Sequence, residues 1–206
     1  MEFYQVIKKR RSVRELQSRA IPDDSLKRIV EAGLMAPSND HLRDWEFVIL
    51  QDQEEKENVL QFVKRSSIKQ MENKNIANMK NKQQQEMYLD AMPKQYSMLS
   101  QSGCVILVFF KATSAIFNAT SLNALNPVAS VWCCIENILL STAAEGLASS
   151  IRIPVGEEGA FVSDLVHTPK DYLLACYIGI GYPLEETVKI EQVVHSVESK
   201  MHFGKW

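Results

Sequence analysis

Long apolar runs are missing from this 206-residue chain. The longest uninterrupted ones, Cys104–Phe110 and Tyr172–Ile178, have seven residues each. A helix crossing a bilayer takes about 20, so no membrane span is expected. Lys8–Arg14 carries charge, but no apolar stretch of signal-peptide length follows it. A basic excess is missing too: 23 Lys and Arg stand against 25 Asp and Glu, a net charge of -2. That balance argues against a dedicated nucleic-acid binder. Cysteine is scarce. Cys104, Cys133, Cys134 and Cys176 lie in apolar surroundings, with no CxxC pair and no histidine at metal-ligand spacing. They read as small core residues in a reducing, cytoplasmic compartment, and a disulfide framework or structural metal is not expected. Neither GxxxxGK[ST] nor GxGxxG occurs, so a P-loop and a Rossmann site lack support. No GxSxG or HExxH accompanies the scattered His41, His167, His195 and His202.

What is present is ordinary globular composition, 46% hydrophobic and 23% charged, with no repeat or linker. One domain over 1–206 is expected. Phe3, Val6 and Ile7 at i, i+3, i+4 spacing predict a first helix. A second helix opens at Pro22-Asp23-Asp24, where proline and early acids suit a start, and ends before Pro37. Trp45–Leu50 reads as a strand and a charged helix follows from about Gln53. Residues 64–100 are rich in Lys, Gln, Asn and Met, with no Gly and one Pro, and predict a polar helical excursion from the core. Met92, Tyr96 and Met98 are its candidate ligand contacts. Cys104–Phe110 and Tyr172–Ile180 read as buried strands. Between them Asn126-Pro127, as N-cap and first turn, opens a long apolar helix ending near Gly146. Glu158–Val166 predicts a short helix and Gln192–Val197 a last strand-like piece. The order implies an α+β fold, a sheet packed by helices.

Three stretches could carry chemistry. In Arg10-Arg11-Ser12-Val13-Arg14, an extended backbone would point Arg10, Ser12 and Arg14 the same way, three donors suited to a phosphate monoester. A solvated basic turn at a helix end explains the same residues. The polar loop Pro37–Asp44 and the loop Ser149–Gly159 sit where ligands often bind, and each also reads as a plain connection.

Taken in order, these pieces resemble the nitroreductase family of flavin mononucleotide (FMN) enzymes. The resemblance rests on Lys9–Arg14, on Ala36-Pro37-Ser38-Asn39 before Trp45–Ile49, and on the long helix from Ser130 to Gly146. It continues through Ile153-Pro154-Val155-Gly156 and Ile178–Pro183. It implies a mixed, mainly antiparallel sheet flanked by helices, with the long helix at a homodimer interface and FMN sites there. Arg10, Ser12 and Arg14 would bind the FMN phosphate and nearby flavin oxygens, with Arg11 adjacent. Ser38 and Asn39 would approach the flavin. Pro154, Val155 and Gly156 would line it, the last two offering backbone near N5, and Lys189 supplies a C-terminal basic residue. Where the family often has Asn-x-Gln-Pro-Trp, this chain has His41-Leu42-Arg43-Asp44-Trp45, so Arg43 adds charge near the ring. The implied activity is FMN-dependent hydride transfer from NADH or NADPH to a small acceptor such as a nitroaromatic or quinone, by a ping-pong mechanism. A non-enzymatic flavin-binding or sensor protein is the rival reading.

Overall fold

The computed structural model describes residues 2–206 apart from 74–75, 77–80, 113, 186 and 188–193, with side chains at 68–73 and 114–115 also outside the description. Its elements are α1 (Phe3–Lys9), β1 (Leu16–Gln17), α2 (Asp23–Leu34), β2 (Trp45–Leu50), α3 (Gln53–Val59) and α4 (Gln61–Asn73). They continue with α5 (Lys82–Ala91), α6 (Ser97–Ser100), β3 (Cys104–Lys111), α7 (Asn126–Ala144), β4 (Ala148–Arg152), α8 (Glu158–Leu165) and β5 (Tyr172–Pro183).

The strands run in the order β1-β5-β3-β2, and β4 also pairs with β5. All four ladders are antiparallel. β3 is buried at every residue from Cys104 to Phe110 because both faces of the sheet are covered. Cys104, Ile106, Val108 and Phe110 point towards α2 and α7, joining Leu26, Ile29, Cys134, Ile135 and Ile138. Val105, Leu107 and Phe109 point the other way, joining Val59, Val63, Met98, Leu99 and Val162. The period of two along a strand thus splits one apolar run between two cores.

The first helix is present as α1, with only Val6 buried; Phe3, Tyr4 and Ile7 are 62%, 76% and 43% exposed and form an apolar patch. Several expectations need correction. Asn126 is the first residue of α7, not its N-cap, and its amide bonds to Asn39 and Asn123 instead. The stretch read as a loop at Ser149 begins inside β4, whose Ser149, Ser150 and Arg152 are buried. Polar residues in a short strand masked its alternation. Cys133 is exposed, whereas the other three cysteines are buried. Met98 lies in the core, as does Met92 by burial, so the polar excursion returns to the core before its expected end. Gln192 and Val193 lie outside the described residues, and Val194–Ser196 forms no strand. Finally, Leu122–Ala144 is long and apolar enough, by length and composition, to cross a membrane. Its residues Val131, Cys134, Ile135, Ile138 and Leu139 pack into the sheet core.

Gly179 marks a close approach. A Cβ there would lie 2.6 Å from the Met98 carbonyl oxygen and 3.2 Å from Ser150 Oγ, because the α6 backbone rests directly on β5. Overpacking typically costs about 1–3 kcal/mol. Gly179→Ala should therefore lower the melting temperature by several degrees, at roughly 2–4 °C per kcal/mol for a chain of this size. An unchanged melting curve would contradict this contact.

Candidate functional site

The N-terminal arm leaves α1 at Arg10, whose N–H still donates to Val6 O at 2.8 Å. It then runs beside β4: Ser12 forms a parallel bridge with Ser149, and Val13 N–H donates to Ser149 O at 2.9 Å. The extended backbone expected here is present at that pairing. The guanidinium groups go to separate partners. Arg10 Nε lies 3.4 Å from Glu136 on α7, and Arg14 Nη1 lies 3.6 Å from Asp90 on α5. Lys94 bonds both Asp90 and Glu15. Both contacts are long and neither pair is fully buried, so each contributes little, about 1 kcal/mol for a solvent-exposed pair, and both arginines can turn to a phosphate at modest cost.

The second group, Ser38, Asn39 and Arg43, is stapled to the start of α7. Asn39 N–H donates to Ser130 Oγ at 2.9 Å, and Asn126 Nδ2 donates to Asn39 Oδ1 at 3.1 Å. Ser38 Oγ accepts from Arg43 N–H at 3.2 Å. Arg43 Nε donates to Leu34 O at 3.1 Å, so its charge first of all satisfies the end of α2. Asp40, His41 and Arg43 all have positive φ, at 51°, 54° and 48°. Such strain in non-glycine residues concentrates at functional sites.

The third group follows β4. Val155 N–H donates to Glu158 Oε2 at 3.0 Å. Glu158 is fully buried and pairs with Arg152 at 2.6 Å; Arg152 also donates to Gln95 at 2.9 Å and to Ser66 at 3.0 Å. Ser66 donates to Glu158 Oε1. Tyr177, opposite Arg152 in the ladder, is buried with its hydroxyl unpartnered among the described residues. Burial, with the Glu158 carboxylate nearby, pushes its phenol well up. Gly156 has φ 54°, a Cβ built on it would meet nothing within 4 Å, and its N–H has no partner among the described residues.

Sequence reasoning missed Arg152 and Glu158. The available signal was a cation set between two isoleucines, Ile151-Arg152-Ile153, which fits no solvated face. β4 links the arm at Ser12 to the loop Pro154–Gly156, whereas Ser38, Asn39 and Arg43 belong to the start of α7. Lys189 lies outside the described residues. A groove of about 400 Å³ between α2 and β2, lined by Leu26, Val30, Leu34 and Ile49 among others, contains none of these residues.

The family model described as Nitroreductase family matches residues 7–182, from α1 into the end of β5. The chain belongs to the nitroreductase family. A comparison of sequences finds an iodotyrosine deiodinase from Haliscomenobacter hydrossis, 24% identical over 89% of this chain and 80% of the relative. Of the mammalian iodotyrosine deiodinases that also match, the chain spans 63% of the length at most. Among solved structures, an oxidised iodotyrosine deiodinase bound to FMN and 3-iodo-L-tyrosine superposes with a TM-score of 0.72 at 22% identity, covering 95% of this chain and 98% of that one. A nitroreductase with bound FMN from Bacteroides fragilis NCTC 9343 gives 0.67 at 23%, covering 96% of both. The fold is therefore that of nitroreductases, an antiparallel sheet flanked by helices, in a family of FMN-dependent oxidoreductases.

The strained loop gives a test within this nitroreductase fold. Left-handed backbone costs an L-residue about 1–2 kcal/mol, while glycine gives back roughly 0.5–1 kcal/mol in chain entropy. His41→Gly should hold or slightly raise stability, and the β-branched His41→Val should lower it by more than about 1 kcal/mol. Urea unfolding of the two variants reads the difference; equal stabilities would contradict the left-handed geometry.

Proposed function

We propose that this chain is an FMN-dependent NAD(P)H oxidoreductase, one domain over 1–206, working as a cytoplasmic homodimer. The observation that carries the reading is the continuity from the Arg10–Arg14 arm, across its Ser12–Ser149 bridge, to the open N–H of Gly156. Phosphate-type donors lie on the arm bridged to β4, and an uncommitted backbone donor lies in the loop that follows that strand. Space at Gly156 suits the approach of a flat ring.

FMN, when bound, takes hydride from a nicotinamide and passes electrons to a second acceptor. The chain's part is to bind and align. Arg10, Ser12 and Arg14 hold the phosphate, with Arg11 adjacent. Gly156 presents its N–H towards N5, and Pro154 and Val155 line the ring. Ser38 and Asn39 approach the flavin across the dimer, while Arg43 and Lys189 offset charge that develops on the ring. No side-chain acid or base is required. Successive use of one site by nicotinamide and acceptor gives ping-pong kinetics.

Apolar surface supports the dimer. Ala129 and Cys133 are exposed and Trp132 and Leu140 half-buried along the outer side of α7, beside the exposed Phe3, Tyr4 and Ile7. Two sides of α7 thus carry apolar residues, and the sheet covers one. The four free thiols suit a reducing compartment.

A nitroaromatic or quinone is the first choice of acceptor. The similarity to iodotyrosine deiodinases favours a second reading, reductive removal of halogen from a halogenated phenol. The absorption spectrum of the purified protein, followed by addition of NADH or NADPH and then of each acceptor, separates these. A flavin band bleached by nicotinamide and restored by one acceptor class is expected; a protein that takes up no FMN contradicts the proposal. A charge-assisted hydrogen bond is worth about 1.5–3 kcal/mol. Arg14→Ala should therefore weaken FMN about 10- to 100-fold and leave riboflavin binding unchanged. Equal losses for both ligands would remove Arg14 from the phosphate.

A further inference from the structure

Among the groups that the proposed function leaves unused, one cluster has a buried charged pair at its centre and is attached to the site. Glu158 opens α8, Arg152 ends β4, Ser66 lies on α4, and Gln95 lies between α5 and α6. Four separate segments converge on one carboxylate–guanidinium pair, whose side chains are 0% and 2% exposed. Burying such a pair is unfavourable unless both charges are well satisfied. The Glu158 carboxylate is satisfied by Arg152 and Ser66 on one oxygen and the Val155 N–H on the other, while Arg152 keeps its Nε buried without a partner among the described residues. The Val155 bond matters for the flavin. Val155 and Gly156 offer consecutive backbone donors, and Glu158 takes the first, leaving the second free at positive φ.

We infer that Glu158, fixed by Arg152, is a positioning residue that commits the Val155 N–H inward and so turns the Gly156 N–H outward to the flavin ring. This rests on the flavin reading above and makes it narrower: one donor, from Gly156, meets the ring. Ser66 and Gln95 carry the same brace to α4 and to the turn before α6, so the polar excursion and the ring-facing loop share an anchor. Because the brace acts on the ring side, its loss affects riboflavin and FMN alike, unlike the loss of Arg14.

Removing one charge alone leaves its partner buried and uncompensated, so paired replacements are the informative variants. Arg152→Met with Glu158→Gln keeps an acceptor for Val155. Arg152→Met with Glu158→Leu removes it at similar volume. FMN and riboflavin affinities by fluorescence titration are expected within threefold of the parent for the Met/Gln pair. A loss of tenfold or more, equal for both ligands, is expected for the Met/Leu pair. Amide hydrogen exchange of the unmodified chain without flavin needs no variant: Val155 should exchange at least a hundredfold more slowly than Gly156. Comparable exchange at the two amides overturns the positioning role, even if the Met/Leu pair does not fold. A folded Met/Leu pair that binds both flavins like the parent also overturns it, with the flavin reading intact. A parent that binds neither FMN nor riboflavin overturns the flavin reading and this role together.

Discussion

β5 is hydrogen-bonded to β3 over Tyr172–Ile180, to β4 over Tyr177–Gly181 and to β1 at its end. The core and the candidate site both follow from that sharing. Pairing with β3 sandwiches two apolar strands between helical layers, so the inner residues of both are lost to solvent. Pairing with β4 brings a polar strand, Ala148–Arg152, against the same ladder, and the N-terminal arm joins through Ser149. The residues with the chemistry for phosphate lie on an arm bridged to β4, and those proposed for the flavin ring lie in the loop that leaves β4. Gly179 permits this arrangement, because α6 comes too close to β5 for a side chain there, and Gly181 leaves only a tight fit beside the β1 region.

Much of this order was legible in the residues. Continuous apolar runs locate β3 and β5, and Trp45–Leu50 reads as a strand over the same residues that form β2. The ordered set of short motifs identified the family although no single motif did. What was not legible has common physical causes. β4 is a buried strand built from serines and an arginine, so hydropathy hides it; Ser150 bonds Met98 O and Arg152 bonds Gln95, both far away in sequence, as well as the nearby Glu158. The exposure of Phe3 and Ile7 could not follow from periodicity, which reports that a helix has an apolar face and not what covers it. Asn126 was read as a cap because Asn-Pro is a good start, but tertiary bonding to Asn39 claims its side chain.

The site combines two kinds of attachment. Arg10 and Arg14 are lightly tethered by partly exposed carboxylates, Glu136 and Asp90. Arg152 and Glu158, by contrast, are locked in the interior. Such a division suits a cofactor whose phosphate must be captured and whose ring must be aligned: adaptable charge at one end of β4 and fixed backbone at the other. The loop at Ser38–Arg43 is strained and stapled to α7; in the proposed dimer it would approach the flavin from a second copy, which would link cofactor binding to the apolar outer side of α7.

A crystal structure of the protein with FMN tests this account most directly. The phosphate is expected against Arg10, Ser12 and Arg14, with the ring against Gly156 of the same chain and against Ser38 and Asn39 of a second copy. FMN seated in the α2–β2 groove, or bound wholly within one chain with the Arg10–Arg14 arm unengaged, would contradict it.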